Sequence, residues 1–331
     1  MIINILLFVV GLVMLIKGGD WFVDGASGIA RRFHLPEILI GATVVSIGTT
    51  LPEVMVSAQG AMAGSGGMAY GNAIGSIICN TSLIAALTIA IKPGKAERRA
   101  LVLPISFFFI AAAFYVFVAY FFGEFARWVG ITLLCMFVIY MASTLMQMKK
   151  TPAMPVEHEE HSEDATEDSG DQKKSSIVKD IIFLVIGAAL IAFGANLLVN
   201  NGTAIAQTLG VPDTVIALTF VALGTSLPEL VTAITALAKG HGALSLGNII
   251  GANLFNLVFV SGIATTISPF AVPSETKIGG YASSLVMDIP VMLGVMLILT
   301  VPALIRGKLS RAQGIVLLCI YAAFCAMQFI M

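Results

Sequence analysis

The six residues Gly48-Thr49-Thr50-Leu51-Pro52-Glu53 are repeated at 224–229 as Gly-Thr-Ser-Leu-Pro-Glu, with a single substitution. Each copy places a carboxylate, two hydroxyl groups and a proline inside an apolar segment. Proline removes one backbone donor and crowds the carbonyl four residues earlier, so the carbonyls of Gly48 and Gly224 should be free. In a bilayer such groups persist only where protein or a water-filled cavity satisfies them. The motif therefore predicts two broken helices, each with a buried acid.

The composition around this motif is that of an integral membrane protein. Of the 331 residues, 58% are hydrophobic and 11% are charged, against about 25% charged in soluble proteins. A helix needs roughly 20 apolar residues to cross a bilayer. Ten such segments lie at about 2–24, 36–62, 68–91, 100–122, 128–148, 180–202, 212–238, 244–267, 280–305 and 312–331. The sequence predicts an all-α membrane protein with ten transmembrane helices.

The motif belongs to a longer internal repeat. A shift of 176 residues superimposes the two halves without a gap from about Asp20 to Asn80. Five spans separate equivalent points, and an odd number reverses the direction in which the second copy crosses the membrane. Inverted repeats of this kind form substrate sites near the midplane from interrupted helices. We expect two inverted five-helix repeats, at 1–148 and 177–331, with broken helices at the midplane.

The segment between the halves, 149–176, carries eight acidic residues and no aromatic residue, which is typical of a disordered linker. Its His158 and His161 are candidates for weak metal binding, although their spacing is not that of the His-Glu-x-x-His proteases. One set of loops, which includes this linker, carries fifteen Lys and Arg residues, whereas the opposite loops carry only Arg127 and Lys277. Because basic loops remain inside, we expect a cytoplasmic linker in a protein of the cell (inner) membrane, with both termini outside.

A second polar cluster follows each glutamate. Ser76 and Asn80 follow Glu53 by 23 and 27 residues, and they share a helix face because they are four apart. Asn256 is the equivalent of Asn80 in the second half, while Ala252 replaces Ser76. The candidate metal-binding residues are Glu53, Glu229, Thr49, Thr50, Ser76, Asn80, Thr225, Ser226 and Asn256.

These candidates, with the freed carbonyls, offer only oxygen ligands. Hard cations prefer such a set, and Ca²⁺ takes about six to eight oxygens in flexible geometry. Metals that prefer sulfur or imidazole are disfavoured, because no His accompanies the site. Two ionised glutamates without a basic partner are costly in a membrane unless a cation neutralises them. An empty site should therefore resist crossing, which predicts obligatory exchange.

Several other residues in the apolar segments carry weaker signals. Asn72 and Asn248 are expected to cap or join helices, and Asp288 has no acidic counterpart in the first half. The four cysteines are expected to be buried packing residues rather than disulfide partners.

At these residues the sequence resembles the cation/calcium exchanger superfamily, and within it a prokaryotic sodium/calcium antiporter. The alpha-repeats of that superfamily carry Gly-Thr-Ser-x-Pro-Glu and Gly-Ser-x-x-x-Asn motifs, and the resemblance covers all ten spans. It implies that Glu53 and Glu229 bind Ca²⁺ and share Na⁺, while the other seven candidates line the sodium and calcium sites. It also implies alternating access by sliding of the first and sixth helices across the bundle.

Two residues depart from the pattern of the superfamily. Ala252 stands where the motif often has Ser, so one hydroxyl ligand is absent and a Na⁺ site should be weaker. Asn256 stands where potassium-dependent members and some prokaryotic members carry Asp, so we expect no K⁺ requirement.

The sequence thus predicts an electrogenic, K⁺-independent antiporter of Na⁺ and Ca²⁺. The nearest alternative is a Ca²⁺/H⁺ antiporter, in which both acids are protonated on the return step. An ion channel fits less well, because two acids beside symmetric helix breaks indicate an occluding site. An enzyme would need a nucleophile paired with a base, or a His cluster, and the sequence shows neither. We expect no cofactor, no nucleic-acid partner and a monomer in the bilayer.

Overall fold

The computed structural model of the protein describes residues 2–64, 66–150, 177–209, 224–274 and 277–330. Most of the predicted linker, with His158 and His161, lies outside these residues, as does the first half of the predicted seventh span. The described chain is almost entirely helical.

Ten helices form the described structure, in agreement with the ten predicted spans. They are α1 (Ile2–Arg32), α2 (Glu37–Met62), α3 (Gly66–Ile91), α4 (Arg98–Phe121), α5 (Arg127–Lys150), α6 (Ile177–Thr208), α7 (Leu227–Ala238), α8 (Gly242–Ile267), α9 (Ser284–Arg306) and α10 (Arg311–Ile330). Nine of these described helices are long and apolar enough to cross a bilayer, and α7 is the described part of the seventh span.

Short backbone pairings join loops of the two halves at both ends of the bundle. Strand β1 (Glu124–Phe125), before α5, pairs antiparallel with β2 (Phe270–Ala271), after α8. A separate hairpin of β3 (Lys277–Ile278) and β4 (Tyr281–Ala282) precedes α9. At the other end, a bridge between Lys95 and Lys308 joins the α3–α4 loop to the α9–α10 loop.

The contact between α1 and α6 shows how the two halves are oriented. Gly11 of α1 packs on Gly194 of α6, while Gly18, further along α1, packs on Gly187, nearer the start of α6. The two helices therefore run antiparallel. Gly187 and Gly194 are the repeat equivalents of Gly11 and Gly18. The operation that maps one half of the chain onto the other therefore exchanges the two contacts. The halves are inverted, as the odd number of spans between equivalent points predicts.

This contact depends on residues without a side chain. A Cβ atom added at Gly18 would lie 2.9 Å from the backbone nitrogen of Ile191 and 3.0 Å from the carbonyl oxygen of Gly187. Membrane helices are commonly held together by such close backbone approach at small residues, because lipid gives no hydrophobic force between them. The glycines therefore set the distance between α1 and α6.

Burial divides the helices into an inner and an outer group. In the most apolar window of each span, 89% of the α8 residues, 72% of the α3 residues and 61% of the α2 residues are buried, against 22% in α1 and α6. The outer helices expose large apolar side chains such as Ile2 and Phe193. Extended exposed apolar surface of this kind marks a membrane-facing side. The inner helices carry the repeated motif and the polar cluster that follows it.

The helix irregularities take the form of π-helical turns. Helix α2 has one at Gly41–Val45, before the first motif, and its α-helix then continues through Pro52 to Met62. Helices α3 and α8 have equivalent π turns at Asn80–Ala85 and Asn256–Val260. Such turns are frequent at functional sites. Both of the latter turns begin at an asparagine that the sequence predicts as a ligand.

The expectation that all four cysteines are buried is wrong. Cys79 is buried, but Cys135 and Cys319 are exposed and Cys325 is partly exposed, and all four are free thiols. In a membrane span an apolar side chain can face lipid as well as protein. Position in a hydrophobic segment therefore does not show which side of the helix a residue occupies.

Replacing Gly18 with Ala should destabilise the protein, because the added methyl group meets the backbone of α6 rather than a flexible side chain. Overpacking of this kind costs about 1–3 kcal/mol, which thermal unfolding in detergent would show as a lower midpoint. Gly294→Ala is the matched control, since its added Cβ meets no described atom within 4 Å beyond its own stretch of helix. An unchanged midpoint for Gly18→Ala would contradict the packing of α1 on α6.

Candidate functional site

The two glutamates of the repeated motif meet inside the bundle. Glu53 lies in the middle of α2 and Glu229 in the first turn of α7, and both side chains are fully buried. Helices α2 and α7 pack against each other, and the two carboxyl groups are close enough to interact electrostatically. No Lys, Arg or His of the described chain forms an ion pair with either of them. Within the described ranges, the site thus has two acids without a counter-charge.

The two predicted asparagines lie crosswise to the glutamates. The π turn that begins at Asn80 packs against α7, the helix of Glu229, and the π turn that begins at Asn256 packs against α2, the helix of Glu53. Both asparagine side chains are fully buried. Each half of the repeat therefore brings its amide-bearing turn to the glutamate helix of the other half.

Hydroxyl groups of the first motif lie beside the Glu229 carboxyl group. Thr49 and Thr50, from α2, approach this carboxyl group of α7. Both threonines are buried, and so is Ser226 immediately before α7. Two hydroxyls of the first copy of the motif are thus near the glutamate of the second copy without forming a hydrogen bond of normal geometry to it.

Two further predicted ligands, Ser76 and Thr225, differ in how deeply they are buried. Ser76 is buried in α3, four residues before Asn80 and on the same helix face. Thr225 is partly exposed in the turn before α7, although its repeat equivalent Thr49 is buried. The structure therefore gathers the other eight candidates into the interior and leaves Thr225 at the margin.

Many buried polar atoms here have no hydrogen-bond partner of normal geometry among the described residues. They are both carboxylate oxygens of Glu53 and Glu229, the hydroxyls of Thr50 and Ser226, and both amide atoms of Asn80 and Asn256. Buried polar groups in proteins are nearly always paired, and eight of these atoms are oxygens. A cation that takes about six to eight oxygen ligands would satisfy such a set.

Of the two expected roles of Asn72 and Asn248, capping is wrong, since both lie inside helices, whereas their hydrogen bonds do join helices. Asn72 Nδ2 donates to the carbonyl oxygen of Glu53 at 3.1 Å and to Ser57 Oγ at 2.8 Å. Asn248 Oδ1 accepts a hydrogen bond from Thr49 Oγ1 at 3.2 Å. These repeat-equivalent asparagines each fix a residue of the first motif in place.

Ser46 is a residue that the motif does not indicate. Its hydroxyl lies 2.8 Å from the carbonyl oxygen of Gly41 and 3.0 Å from that of Asn248, so it joins the π turn of α2 to α8. Its repeat equivalent is Ala222. Because the second half has alanine at the equivalent position, comparison of the two halves does not identify Ser46 as a candidate.

The other acids of the membrane-spanning helices have partners elsewhere. Asp288, partly buried at the end of a π turn in α9, accepts a hydrogen bond from Gln328 Nε2 at 3.3 Å. Asp20 and Asp24 of α1 pair with Lys239 Nζ at 3.4 and 2.8 Å. These contacts separate the three aspartates from the glutamate pair.

The donor set restricts the kind of ligand. No group of three or more His, Cys, Asp or Glu residues that could hold a metal occurs in the described part of the chain. Carboxylate, hydroxyl and amide oxygens suit hard cations such as Na⁺ and Ca²⁺, whereas zinc and copper prefer sulfur and imidazole. The geometry therefore indicates a site for hard cations.

Comparison with known proteins finds relatives over nearly the whole chain. The model of the sodium/calcium exchanger protein family matches residues 3–146 and 179–330. Sodium/calcium exchanger MaX1 of Methanosarcina acetivorans is 32% identical over an alignment of 358 positions, which covers 99% of each protein. Inner membrane protein YrbG of Escherichia coli is 33% identical over 279 residues, or 81% of each protein.

A solved structure has the same fold as this chain. The sodium-calcium exchanger NCX_Mj, soaked with 10 mM Na⁺ and zero Ca²⁺, superimposes with a TM-score of 0.80 at 31% identity, over 98% of both chains. The likeness therefore extends over both halves of the chain.

Replacing Asn72 with Ala should weaken both stability and Ca²⁺ binding, because it removes the two hydrogen bonds that hold α3 at Glu53. At about 0.5–1.5 kcal/mol for each bond, the two losses together should lower the free energy of unfolding by about 1–3 kcal/mol. About half of the upper value at the site would raise the Kd for Ca²⁺ about tenfold. Thermal unfolding and ⁴⁵Ca²⁺ equilibrium binding would measure the two effects. Ser57→Ala removes one of the bonds and should have the smaller effect; native behaviour of Asn72→Ala would disprove the positioning role.

Proposed function

We propose that this chain, which belongs to the sodium/calcium exchanger protein family, is a secondary active antiporter that exchanges Na⁺ for Ca²⁺ by alternating access. The observation that carries the proposal is the pair of buried glutamates, without a counter-charge in the described chain, among unpaired hydroxyl and amide oxygens. Relatives that bear the name sodium/calcium exchanger align with almost the whole chain, which supports the same cargo here.

Charge explains why transport should be an exchange. Two ionised carboxylates in the membrane interior are costly unless cations neutralise them. One Ca²⁺ balances both charges, and several Na⁺ ions can replace it. An empty site would have to carry two uncompensated charges through an apolar surrounding, so it crosses slowly. If three Na⁺ replace one Ca²⁺, one positive charge moves in each cycle and exchange is electrogenic.

The proposed ligands have different tasks. Glu53 and Glu229 bind Ca²⁺ between them and share Na⁺, and the hydroxyl and amide oxygens around them complete the coordination of both ions. Ala252 withholds the hydroxyl that Ser76 supplies in the other half, so the two halves offer unequal Na⁺ sites. Asn256 adds no charge, and the two acids are therefore balanced without K⁺.

Sliding of α1 and α6 across the other eight helices would give alternating access. These two helices are mostly exposed, and they pack on each other through glycines. Helices α1 and α6 each pack on both α2 and α7. The pair thus covers both glutamate helices, which supports movement of the pair as the step that opens one side or the other.

A Ca²⁺/H⁺ antiporter is the second candidate, because two adjacent buried carboxyl groups can also carry protons. A proton needs no shell of hydroxyl and amide ligands. The buried Thr50, Ser226, Asn80 and Asn256 side chains therefore favour Na⁺ as the counter-ion.

Uptake of ⁴⁵Ca²⁺ into Na⁺-loaded proteoliposomes tests the proposal. The native protein should take up Ca²⁺ down an outward Na⁺ gradient, and an interior-positive potential should accelerate uptake if three Na⁺ leave for each Ca²⁺. Glu53→Gln and Glu229→Gln should each lose nearly all uptake, since a single carboxylate leaves the bound Ca²⁺ half neutralised. Replacement of external choline by K⁺ should leave the rate of ⁴⁵Ca²⁺ uptake unchanged.

Asp288→Asn is the matched control in this assay, because it removes an acid of a membrane-spanning helix that lies outside the glutamate pair. It should retain most of the uptake. Uptake that ignores Na⁺ but follows a pH gradient would identify the proton-coupled alternative, and uptake that needs K⁺ would contradict the argument from Asn256. Full activity in either glutamate variant would refute the site.

We further propose that the chain consists of repeats at 1–148 and 177–331 joined by a cytoplasmic linker at 149–176, with both termini outside. The distribution of Lys and Arg supports this orientation. The α3–α4 and α9–α10 loops, which carry many of these residues, pair through Lys95 and Lys308. Because one chain contains all nine proposed ligands, a monomer is sufficient.

Cysteine labelling in intact cells tests the orientation, in a background with alanine at the four native cysteines. A membrane-impermeant thiol reagent should label Glu124→Cys, in the outer α4–α5 loop, but not Lys308→Cys; both positions are exposed. After lysis both should react, which controls for accessibility. Labelling of Lys308→Cys alone in intact cells would reverse the topology.

A further inference from the structure

Two loops from different halves of the chain form a basic cluster at one end of the bundle. The α3–α4 and α9–α10 loops are joined by backbone hydrogen bonds, from Ala96 N to Gly307 O at 2.8 Å and from Leu309 N to Gly94 O at 2.9 Å. With the adjoining helix ends they bring together seven exposed cations, which we call the basic cluster: Lys92, Lys95, Arg98, Arg99, Arg306, Lys308 and Arg311.

The cations of the basic cluster have no ion-pair partner in the described part of the chain. Glu97 is the one acidic residue of these two loops, and none of the seven cations forms an ion pair within the described ranges. Arg98 and Arg311 instead donate to the backbone carbonyls of Ile305 and Ile91, the latter at 3.3 Å. A concentration of positive charge on an exposed surface attracts anions.

An apolar groove runs from this cluster along α9 and α10. It is an open groove of about 680 Å³, lined by side chains that include Leu297, Val301, Ile305 and Val316, with Arg306 at its end. These four apolar residues are exposed large hydrophobic side chains. Leu297 and Arg306 are nine residues apart, or about 13 Å of helix. The groove therefore leads from the charged end of the bundle into the depth of the bilayer.

A proline in α9 creates a contact with α10 that holds the two sides of the groove together. Pro302 cannot donate to the carbonyl of Ile298, which would be left unpaired in lipid. Gln313 of α10 is buried, and its Nε2 donates to that carbonyl at 2.6 Å and to the carbonyl of Leu299 at 3.0 Å. This contact fixes α10 against α9 and so sets the shape of the groove between them.

We propose that this groove binds an anionic phospholipid of the surrounding bilayer. One acyl chain lies along α9 and α10, and the phosphate headgroup contacts Arg306, Lys308 and Arg311. The cations, which have no ion-pair partner among the described residues, favour an anion, and the lipid-facing apolar lining favours a hydrocarbon chain. A soluble anion would satisfy only the cations, and a zwitterionic lipid would leave their charge in excess.

The rule that basic loops remain in the cytoplasm does not account for this arrangement, because that rule depends on the number of charges near the membrane and not on a groove beside them. Arg31 illustrates the difference. It is an exposed cation at the end of α1, in a loop of the same set, and it is not part of the groove lining. It therefore serves as the control for charge alone.

Native mass spectrometry and thermal unfolding in detergent test the proposal, with added phosphatidylglycerol or phosphatidylcholine of the same acyl chains. The native protein should retain phosphatidylglycerol and unfold at a higher midpoint in its presence, with little response to phosphatidylcholine. The double variant Arg306→Gln/Arg311→Gln should bind phosphatidylglycerol about 25-fold more weakly, at about fivefold for each cation. Val301→Trp should fill the groove and abolish retention although every charge is kept.

Arg31→Gln should behave like the native protein in both measurements. Equal retention of phosphatidylglycerol by the native protein and the double variant would overturn the proposal. Stabilisation to the same extent by glycerol 3-phosphate would overturn it in favour of a soluble anion. If the protein responds to phosphatidylglycerol only after residues 155–171 are deleted, the acidic segment of the chain itself neutralises the basic cluster. That result would overturn the proposal. None of these measurements depends on ion transport.

Discussion

Two carboxyl groups buried beside each other are the constraint on which the rest of this structure depends. Glu53 and Glu229 are fully buried and interact electrostatically, and the desolvation of each charge costs several kcal/mol unless a counter-charge or hydrogen bonds compensate for it. The fold must therefore place polar groups at one position inside a chain that is otherwise apolar. It does so by packing α2, α3, α7 and α8 around the two acids, and the outer helices separate this polar interior from lipid.

The features that could be predicted from the sequence are those that local composition and register determine. Hydropathy gives the spans, the shift of 176 residues gives the repeat, and the odd number of spans between copies gives the inversion. The role of Asn72 could not be predicted, because its bonds to Glu53 and Ser57 exist only when α3 packs on α2. Ser46 lacks a counterpart in the other half. The exposure of Cys135 and Cys319 depends on which helix face meets lipid, and hydropathy alone does not distinguish lipid from protein.

Two prolines show how packing decides the meaning of the same sequence signal. Pro52 and Pro302 both lie inside membrane-spanning helices, and each leaves the carbonyl four residues earlier without its usual donor. For Pro302, the side chain of Gln313 on a neighbouring helix supplies the missing hydrogen bond. Pro52 instead directly precedes a buried acid. A proline in an apolar span therefore predicts a backbone group that needs a partner, and tertiary packing determines which group can supply it.

The symmetry of the scaffold and the asymmetry of the site serve different purposes. The contacts Gly11–Gly194 and Gly18–Gly187 exchange under the repeat, so a slide of α1 and α6 in either direction would produce similar packing. Two arrangements of similar energy can be shifted by a small difference in their affinity for a ligand. The residues of the site are unequal, because Ala252 replaces Ser76, Ala222 replaces Ser46 and Thr49 bonds to Asn248. Under the proposed alternating access, a symmetric scaffold would keep both arrangements accessible, and unequal ligands would let the bound ion favour one of them.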